Sequence, residues 1–370
     1  MVRKSNKSLN SLSPHTRHSR VIIDLDAIRF NYQYLKSTAA NSKVIAVIKA
    51  DAYGHGAIQV AKALPNADAF AVATVMEAIE LRNEGIQQKI IILGGVVDAL
   101  EMQACFDFQL DPVIHQFWQI DLLKQVPDSA SIDVWLKFNS GMGRLGFSQS
   151  NIKLALQQVE KISSAGTVRL MTHLANADDT SDEKSIRQID KAASLELEQY
   201  EWGIANSAGI LGWPQSRLNW VRAGIALYGS DPLTDHSATA KLKAVMQFSS
   251  QVLAINHLKK GQSIGYGSIY TCPQDQTIAV AAAGYADGYP RHLKNGYVLV
   301  NGVKAKIVGR VSMDMITINI TQLDVSIGDE VMLWGNKPVA NEIADLSETI
   351  SYELFCHAGS HAKKEYINQF

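Results

Sequence analysis

From residue 43 onward, short apolar runs alternate with stretches whose apolar positions recur every three or four residues. Stretches of the second kind, such as VMEAIELRNEG and SNIKLALQQVEKI, are typical of helices that bury one face. The apolar runs predict eight strands: KVIAVIK (43–49), AFAVAT (69–74), KIIILGG (89–95), LDPVI (110–114), IDVWLKF (132–138), VRLMTHL (168–174), WGIANS (202–207) and NWVRAGI (219–225). Strands that alternate with helices indicate parallel βα units, and eight units predict an α/β fold with a closed (β/α)8 TIM-type barrel.

The helical alternation ends at about residue 236. The segments that follow have β character and are separated by turn signals: AVMQFSSQVLAI, TIAVAAAGYA, GYVLVNGVKAKIVGRV, MITINITQL and DEVMLWG. We therefore expect a barrel domain over residues 21–235 and a mainly β C-terminal domain over residues 236–370. Residues 1–20 contain basic residues, no acidic residue and no apolar core, which predicts a disordered basic tail.

The composition favours a small-molecule partner. With 35 basic and 36 acidic residues, the chain lacks the basic surplus that nucleic-acid binding requires. Its longest apolar runs are about half of the roughly 20 residues needed to cross a bilayer, so we expect no membrane contact. The three cysteines, Cys105, Cys272 and Cys356, have neither metal-ligand nor redox-pair spacing. Reduced thiols, no metal and a cytoplasmic location are the expectation.

Reactive residues collect at the predicted strand ends, and the carboxyl ends of the strands form one mouth in a parallel barrel. These residues are Lys49, Lys137, Arg144, His173, Asn206, Ser207 and Arg222. Lys49 ends a buried strand, where an ammonium is costly unless it is paired, neutral or covalently modified. An ion pair and Schiff-base chemistry both explain it, because desolvation makes a lysine nucleophilic.

Seven segments carry a family resemblance. VIKADAYGHG, KFNSGMGRLGF, IANSAG, VRAGIALYG, IGYGSIY, GYADGYPR and GRVSMD stand in the order and spacing seen in alanine racemases, over about residues 21–365. The chain thus resembles these pyridoxal-phosphate-dependent isomerases. The resemblance implies a homodimer with shared active sites that interconverts L-alanine and D-alanine and supplies D-alanine for peptidoglycan.

The resemblance also implies roles for individual residues. Lys49 would form the internal aldimine with pyridoxal 5'-phosphate and serve one face of the substrate α-carbon, while Tyr266 of the partner subunit would serve the other face. The implied cofactor-binding residues are Lys49, Tyr53, His173, Asn206, Ser207, Arg222, Gly224, Ile225 and Tyr352. Among them, Arg222 would face the pyridine nitrogen and His173 would link Tyr266 towards Arg222.

For the substrate, the resemblance implies that Arg144 binds the carboxylate with help from the backbone of Met313, and that Tyr285 lines the entrance. Lys137 aligns with a lysine that is carbamylated in several relatives. Two positions depart from the pattern: Asn139 replaces a common aspartate, and Gly203 replaces a histidine that in some relatives braces the ring-facing arginine. What orients Arg222 is left open.

Other interpretations accompany these assignments. His173 has the pattern of a core histidine, Tyr53 that of a packing aromatic, and NSAG and RAGI that of ordinary strand-to-helix turns. A broader-specificity racemase of the same fold and a non-catalytic pyridoxal-phosphate carrier are alternative functions, although Tyr266 and the second domain disfavour a carrier. The glycine-triplet loop and the cysteine motif of basic amino-acid decarboxylases are not evident.

Overall fold

A computed structural model of the chain describes residues 18–127 and 131–369. Its strands are β1 (Arg20–Asp24), β2 (Lys43–Val47), β3 (Ala69–Val72), β4 (Ile90–Ile92), β5 (Asp111–Ile114), β6 (Ile132–Lys137), β7 (Ala165–Met171), β8 (Trp202–Gly203), β9 (Trp220–Ala223), β10 (Met246–Leu258), β11 (Ser263–Ile264), β12 (Tyr270–Thr271), β13 (Gln276–Ala281), β14 (Tyr297–Val300), β15 (Val303–Ile307), β16 (Ile316–Asn319), β17 (Glu330–Trp334) and β18 (Lys363–Ile367). Its α-helices are α1 (Leu25–Thr38), α2 (Lys49–Tyr53), α3 (Ala57–Ala63), α4 (Val75–Asn83), α5 (Ala99–Asp107), α6 (Phe117–Leu123), α7 (Ile152–Val159), α8 (Lys184–Ala193), α9 (Ser207–Gly212), α10 (Ala340–Leu346) and α11 (Ser351–His361).

Strands β2 to β9 form a closed parallel barrel in chain order, and β9 pairs back with β2. Each of the eight predicted runs overlaps one of these strands, so the predicted TIM-type barrel is confirmed. The strands are nearly all apolar because both of their faces are covered. Each strand except β5 ends before its predicted run does, and β7 also starts three residues earlier than its run. The polar ends of the runs therefore lie in the loops at the barrel mouth.

The helices follow from local signals. α4 begins with a capping box, in which the Thr74 hydroxyl accepts the Glu77 N–H at 3.3 Å and the Glu77 carboxylate accepts the Thr74 N–H at 3.2 Å. α7 buries apolar side chains at the spacing of one helix face: Ile152, Ala155, Leu156 and Val159. Burial of that face fixes the helix against its neighbours.

The amino end of the barrel is crossed by a chain of ion pairs. Arg169 binds Asp133 at 3.1 Å and Glu201 at 2.7 Å, and these acids also bind Lys89 and Lys43 at 2.7 Å and 3.1 Å. Burial raises the pKa of Asp133, but hydrogen bonds from Lys89, the backbone and Arg169 outweigh it and lower that pKa to about 2. These charges are compensated, as stability-related residues at this end of a barrel usually are.

The second compact unit comprises, among the described residues, residues 18–24 together with Met246–Ile367. Its eight-stranded sheet has the order β13-β16-β15-β14-β17-β10-β1-β18, and β13 also pairs with β10. This confirms the predicted mainly β C-terminal domain. Helices α10 and α11 are additions that the strand-like pattern did not predict.

The boundaries differ from the predicted ones at two places. β1 pairs with β10 and β18, so Arg20–Asp24 belong to the C-terminal sheet, because Val21 and Ile23 are fully buried there. Ser19 is also buried and donates to Asp287 at 2.8 Å, which corrects the end of the predicted tail; residues 1–17 of that tail lie outside the described residues. The barrel unit comprises Leu25–Val245, so it ends ten residues beyond the predicted boundary at residue 235. Asn368 and Gln369 also belong to this unit.

Within the described ranges, none of the helices combines the length and the apolar character of a membrane span. The same residues contain no group of three or more histidine, cysteine or acidic side chains arranged to hold a metal ion.

Candidate active site

The loop after β2 has an unusual backbone. Lys49 follows the strand by one residue, and the next four residues, Ala50 to Tyr53, have φ between 50° and 54° before Gly54 with φ 80°. A left-handed conformation costs about 1–2 kcal/mol for each residue with a side chain. Strain of this kind persists only where the surroundings enforce it, and it is concentrated at functional sites.

Two carboxylates hold this left-handed turn. Glu77 accepts the Ala50 N–H at 2.7 Å through one oxygen and the Ala73 N–H at 2.6 Å through the other. Asp51 accepts the Ala57 N–H at 2.8 Å, which joins the turn to α3. The carboxylate of α4 therefore fixes the residue next to Lys49 against the end of β3.

The aromatic pair Tyr53 and Tyr228 connects this turn to the loop after β9. Their ring centroids lie 4.9 Å apart, and His55 stacks on Tyr228 at 4.5 Å. The Tyr228 hydroxyl donates to the Val47 carbonyl at 2.8 Å, at the end of the Lys49 strand. Tyr53 is thus held over the loop that begins at Gly224.

The hydroxyl groups of Ser207 and Tyr53 lie close to the backbone of Gly224. The Ser207 hydroxyl accepts the N–H groups of Gly224 and Ala226 at 2.8 Å and 3.3 Å. A Cβ at Gly224 would lie 3.1 Å from the Tyr53 hydroxyl and 3.7 Å from that of Ser207. Glycine therefore leaves space beside these groups. We call the hydroxyls of Tyr53 and Ser207 together with the backbone at Gly224 and Ile225 the Gly224 cradle. Hydroxyl and backbone groups of this kind bind phosphate. Ile225 follows as the first residue of a 3-10 helix.

Asn206 starts the other side of this cradle. It caps α9, since its side-chain oxygen accepts the Gly209 N–H at 2.9 Å. The cap sets the backbone direction so that Ser207, the first residue of α9, is buried and points its hydroxyl at the loop after β9.

Arg222 is buried at the end of β9 and held by backbone carbonyls. Nη1 donates to Gly203 at 2.7 Å, and Nη2 donates to Thr172 at 2.6 Å and to Ile204 at 3.0 Å. These carbonyls orient Arg222 without a side chain from position 203. A Cβ at Gly203 would lie 3.3 Å from Nη1, so glycine suits this close approach. Burial lowers the pKa of Arg222 to about 10, which leaves it cationic near neutral pH.

His173 lies beside this guanidinium, with Nδ1 at 3.3 Å from Arg222 Nη2. Burial, followed by the charges of Arg222 and Lys137, lowers the pKa of His173 to about 2, so its imidazole is neutral. Because Nδ1 faces an N–H donor, it accepts, and the ring proton is assigned to Nε2.

Lys137 ends β6 and is only 8% exposed. Burial, followed by repulsion from Arg222, Arg144 and Lys49, lowers its pKa to about 8. Burial and the neighbouring cations therefore both destabilise an ammonium at this position. The neutral amine, which is the nucleophilic form, is correspondingly more populated than for an exposed lysine.

The loop between residues 139 and 147 carries Arg144, which is exposed. The Asn139 side-chain oxygen accepts the N–H groups of Gly141 and Gly143 at 3.2 Å and 3.0 Å. The base of the loop is closed by two backbone hydrogen bonds, from the Asn139 N–H to the Phe147 carbonyl at 2.9 Å and from the Phe147 N–H to the Lys137 carbonyl at 2.8 Å. The neutral amide at position 139 therefore shapes the loop without adding a negative charge near Lys137.

The remaining predicted site residues lie in the C-terminal unit. Tyr266 starts a 3-10 helix and is 69% exposed, and Tyr352 is an exposed residue in the first turn of α11. The backbone of Met313 accepts the Ala286 N–H at 2.9 Å, which places Met313 next to Tyr285. The predicted site residues thus form two groups, one in each compact unit.

Comparisons with known proteins agree with this layout. Residues 23–232 match the family described as alanine racemase, N-terminal domain, and residues 245–366 match alanine racemase, C-terminal domain. The chain belongs to the alanine racemase family. Enzymes of this family are pyridoxal-phosphate-dependent isomerases, which confirms the predicted enzyme class and cofactor.

Individual members of the alanine racemase family show the extent of the similarity. The catabolic alanine racemase of Pseudomonas putida is 39% identical over 359 residues, 95% of this chain and 100% of that protein. The biosynthetic alanine racemase of Pseudomonas aeruginosa is 36% identical, with a TM-score of 0.92 over 95% of this chain and 99% of its own. The Bartonella henselae alanine racemase, solved with covalently bound pyridoxal phosphate, is 30% identical, with a TM-score of 0.86 over the same shares.

Several supporting residues of this racemase fold were not predicted. The Thr74-to-Glu77 spacing of a capping box was a usable signal for Glu77, but not for its contact with Ala50. Gln188 and Thr172 gave no signal, because a polar residue on a helix face or at a strand end has no pattern of its own.

Proposed function

We propose that this chain interconverts L-alanine and D-alanine by a two-base proton transfer, with Lys49 on one face of the substrate and Tyr266 of the partner subunit on the other. The observation that carries the proposal is the shared barrel mouth, where the strained Lys49 turn, the Gly224 cradle and buried Arg222 follow neighbouring strands β2 and β9. Family membership supports the same reaction.

The Gly224 cradle suits the phosphate of the cofactor, since the hydroxyls of Tyr53 and Ser207 and the backbone at Gly224 and Ile225 meet there. The Gly224 N–H, which donates to the Ser207 hydroxyl at 2.8 Å, would donate to the phosphate instead. Tyr352 completes the set in our proposal. When bound, pyridoxal phosphate withdraws electrons from the substrate α-carbon and makes its proton removable.

The chain's own residues then orient the cofactor and move protons. Lys49 would hold the cofactor covalently until the substrate amino group takes its place, and the freed Nζ would then exchange a proton with the α-carbon. Arg222 faces the pyridine nitrogen as a hydrogen-bond donor that keeps its own proton, so the ring nitrogen stays unprotonated. The hydrogen bonds of Arg222 to the carbonyls of Gly203, Thr172 and Ile204 use Nη1 and Nη2, so Nε–H is the donor that we propose for the ring nitrogen.

Tyr266 exchanges the proton on the opposite face. Formation of a phenolate near neutral pH requires hydrogen-bond donors or cations that stabilise the anion. Neutral His173 supplies an Nε2–H donor, polarised by Arg222 at Nδ1. Asn206 supports the cofactor side of the site through its cap of α9.

The substrate carboxylate binds Arg144, assisted by the Met313 backbone of the partner subunit, and Tyr285 lines the entrance. A guanidinium matches a carboxylate in geometry and charge. Lys137, with its depressed pKa, is carbamylated in our proposal, and the resulting anion offsets the charges of Arg144 and Arg222.

Incubation of the purified protein with each L-amino acid, followed by chiral separation, tests the proposal. We expect D-alanine to form fastest. Equal rates across larger side chains would favour a broad-specificity racemase instead, and absence of turnover with bound cofactor would favour a carrier.

We further propose that the D-alanine supplies peptidoglycan synthesis. Because one relative is catabolic and another biosynthetic, a deletion strain decides between the two roles. A requirement for D-alanine in the medium is expected, and growth without it but not on D-alanine as carbon source would indicate a catabolic enzyme.

A further inference from the structure

Gln188 is a buried polar residue on α8 that contacts two of the barrel-mouth loops. Its side-chain oxygen accepts the Ala175 N–H at 2.8 Å, and Nε2 donates to the His173 carbonyl at 3.1 Å and to the Ser140 hydroxyl at 3.0 Å. One acceptor and two donors are all used, so the amide fits in one orientation only. Gln188 therefore clamps the backbone on both sides of residue 174.

The contacts of Gln188 continue to the reactive groups. Ser140 belongs to the loop that carries Arg144, and its hydroxyl shares a 2.8 Å hydrogen bond with Thr172. The Thr172 carbonyl in turn accepts a hydrogen bond from Arg222 at 2.6 Å. A single buried amide thus joins the Arg144 loop to the strand end that holds Arg222.

We propose that Gln188 is a positioning residue for racemisation. It fixes the position of the His173 imidazole relative to the loop that carries Arg144. The inference rests on the proposed function, in which His173 supports Tyr266 and Arg144 binds the substrate carboxylate. Loss of the amide leaves the partly buried Ala175 N–H and His173 carbonyl, and the buried Ser140 hydroxyl, without this partner, and such groups shift to find others. His173 and Ser140 then move relative to each other.

The variant Gln188→Met keeps the length of the side chain and removes its hydrogen bonds. We expect kcat/KM for alanine to fall by about tenfold or more. The reason is that the hydrogen bonds of Gln188 hold residues that, in our proposal, contact the substrate or Tyr266. The cofactor content and the cofactor absorption spectrum stay unchanged, because Gln188 contacts neither Lys49 nor the Gly224 cradle in the hydrogen bonds of the described residues.

Isotope effects separate positioning from general damage. The two enantiomers have equal free energies, so kcat/KM falls equally in both directions whatever the cause. Deuterium at the α-carbon reports the individual proton removals instead. In Gln188→Met the isotope effect should rise in the direction in which Tyr266 removes the proton and fall in the direction in which Lys49 removes it.

Ser185→Ala is the matched control, because Ser185 is also buried on α8 and its hydroxyl has no partner in the described residues. It should behave as wild type. Ser140→Ala removes only one contact of the clamp and should shift the isotope effects the same way by less, which keeps the test valid if Gln188→Met folds poorly.

Wild-type kinetics in Gln188→Met, or isotope effects that change equally in both directions, would overturn the assignment of Gln188. The proposed function fails by a different result, namely a wild-type protein that does not racemise alanine.

Discussion

Replacement of Lys137 should change the stability of the protein in opposite directions, depending on whether this residue is an ammonium or a carbamate. Its amine is nearly buried and its pKa falls from 10.5 to about 8, a difference that corresponds to about 3 kcal/mol. For an unmodified lysine, this means that the folded protein binds its proton less tightly than the unfolded chain does. The free energy of unfolding would then rise as the pH goes from 8 to 10.5, and the full penalty would be present below pH 8.

The variant Lys137→Met removes the charge at similar length. If Lys137 were an ammonium, the variant would be more stable at pH 7 by up to about 3 kcal/mol. A carbamate gives the opposite sign, since the variant then loses the anion that offsets Arg144 and Arg222. Because a pKa near 8 leaves roughly 300 times more free amine at pH 7 than a pKa of 10.5, reaction with carbon dioxide is favoured.

We predict that Lys137→Met is less stable and less active than wild type in bicarbonate buffer. Urea unfolding gives the stability, and chiral chromatography gives the activity. In Lys137→Ala, which leaves room, small added carboxylates should restore part of the activity, and carbon-13 NMR of wild type in labelled bicarbonate should show the carbamate. A stabilised Lys137→Met with full activity would refute the reasoning.

Three further predictions concern the cofactor and the barrel. Lys49→Ala should lose the borohydride-reducible link to the cofactor, and peptide mapping that finds the adduct on another lysine would contradict the assignment. Gly224→Ala should weaken pyridoxal-phosphate binding by about tenfold, because its Cβ meets the Tyr53 hydroxyl at 3.1 Å; an unchanged affinity in absorbance titrations of the apoprotein would argue against the cradle. Arg169→Met should lower the free energy of unfolding at pH 7 by about 1.5–3 kcal/mol, because Asp133 and Glu201 each lose one of two cations while Lys89 and Lys43 remain. That loss should shrink as the pH falls from 4 towards 2, where the depressed pKa lies, and a pH-independent loss in acid unfolding curves would contradict it.

The barrel could be predicted because its strands are short apolar runs separated by helices with period 3.6, and both patterns come from burial. The reactive residues at the strand ends followed from that topology. The roles of Tyr266 and Tyr285 did not, because in the C-terminal unit no pattern marks an exposed tyrosine as functional. These roles came from the family resemblance.

Other features had no local signal. The left-handed turn from Ala50 to Tyr53 contains no glycine, and only contacts such as that of Glu77 with Ala50 enforce it. β1 was not predicted as a strand, and its partners, β10 and β18, lie more than two hundred residues away along the chain. The orientation of Arg222 depends on carbonyl groups, which every residue has.

In the proposed mechanism each active site combines Lys49 of one subunit with Tyr266 of the other, and subunit exchange between two inactive variants measures this arrangement. Lys49→Ala and Tyr266→Phe proteins are mixed in equal amounts, and differential tags confirm that hybrid dimers form. In a hybrid, one site lacks both groups and the other has both intact. Random pairing makes about half of the dimers hybrids, so the account predicts about a quarter of the wild-type specific activity. No recovery of activity in confirmed hybrids would contradict the shared site.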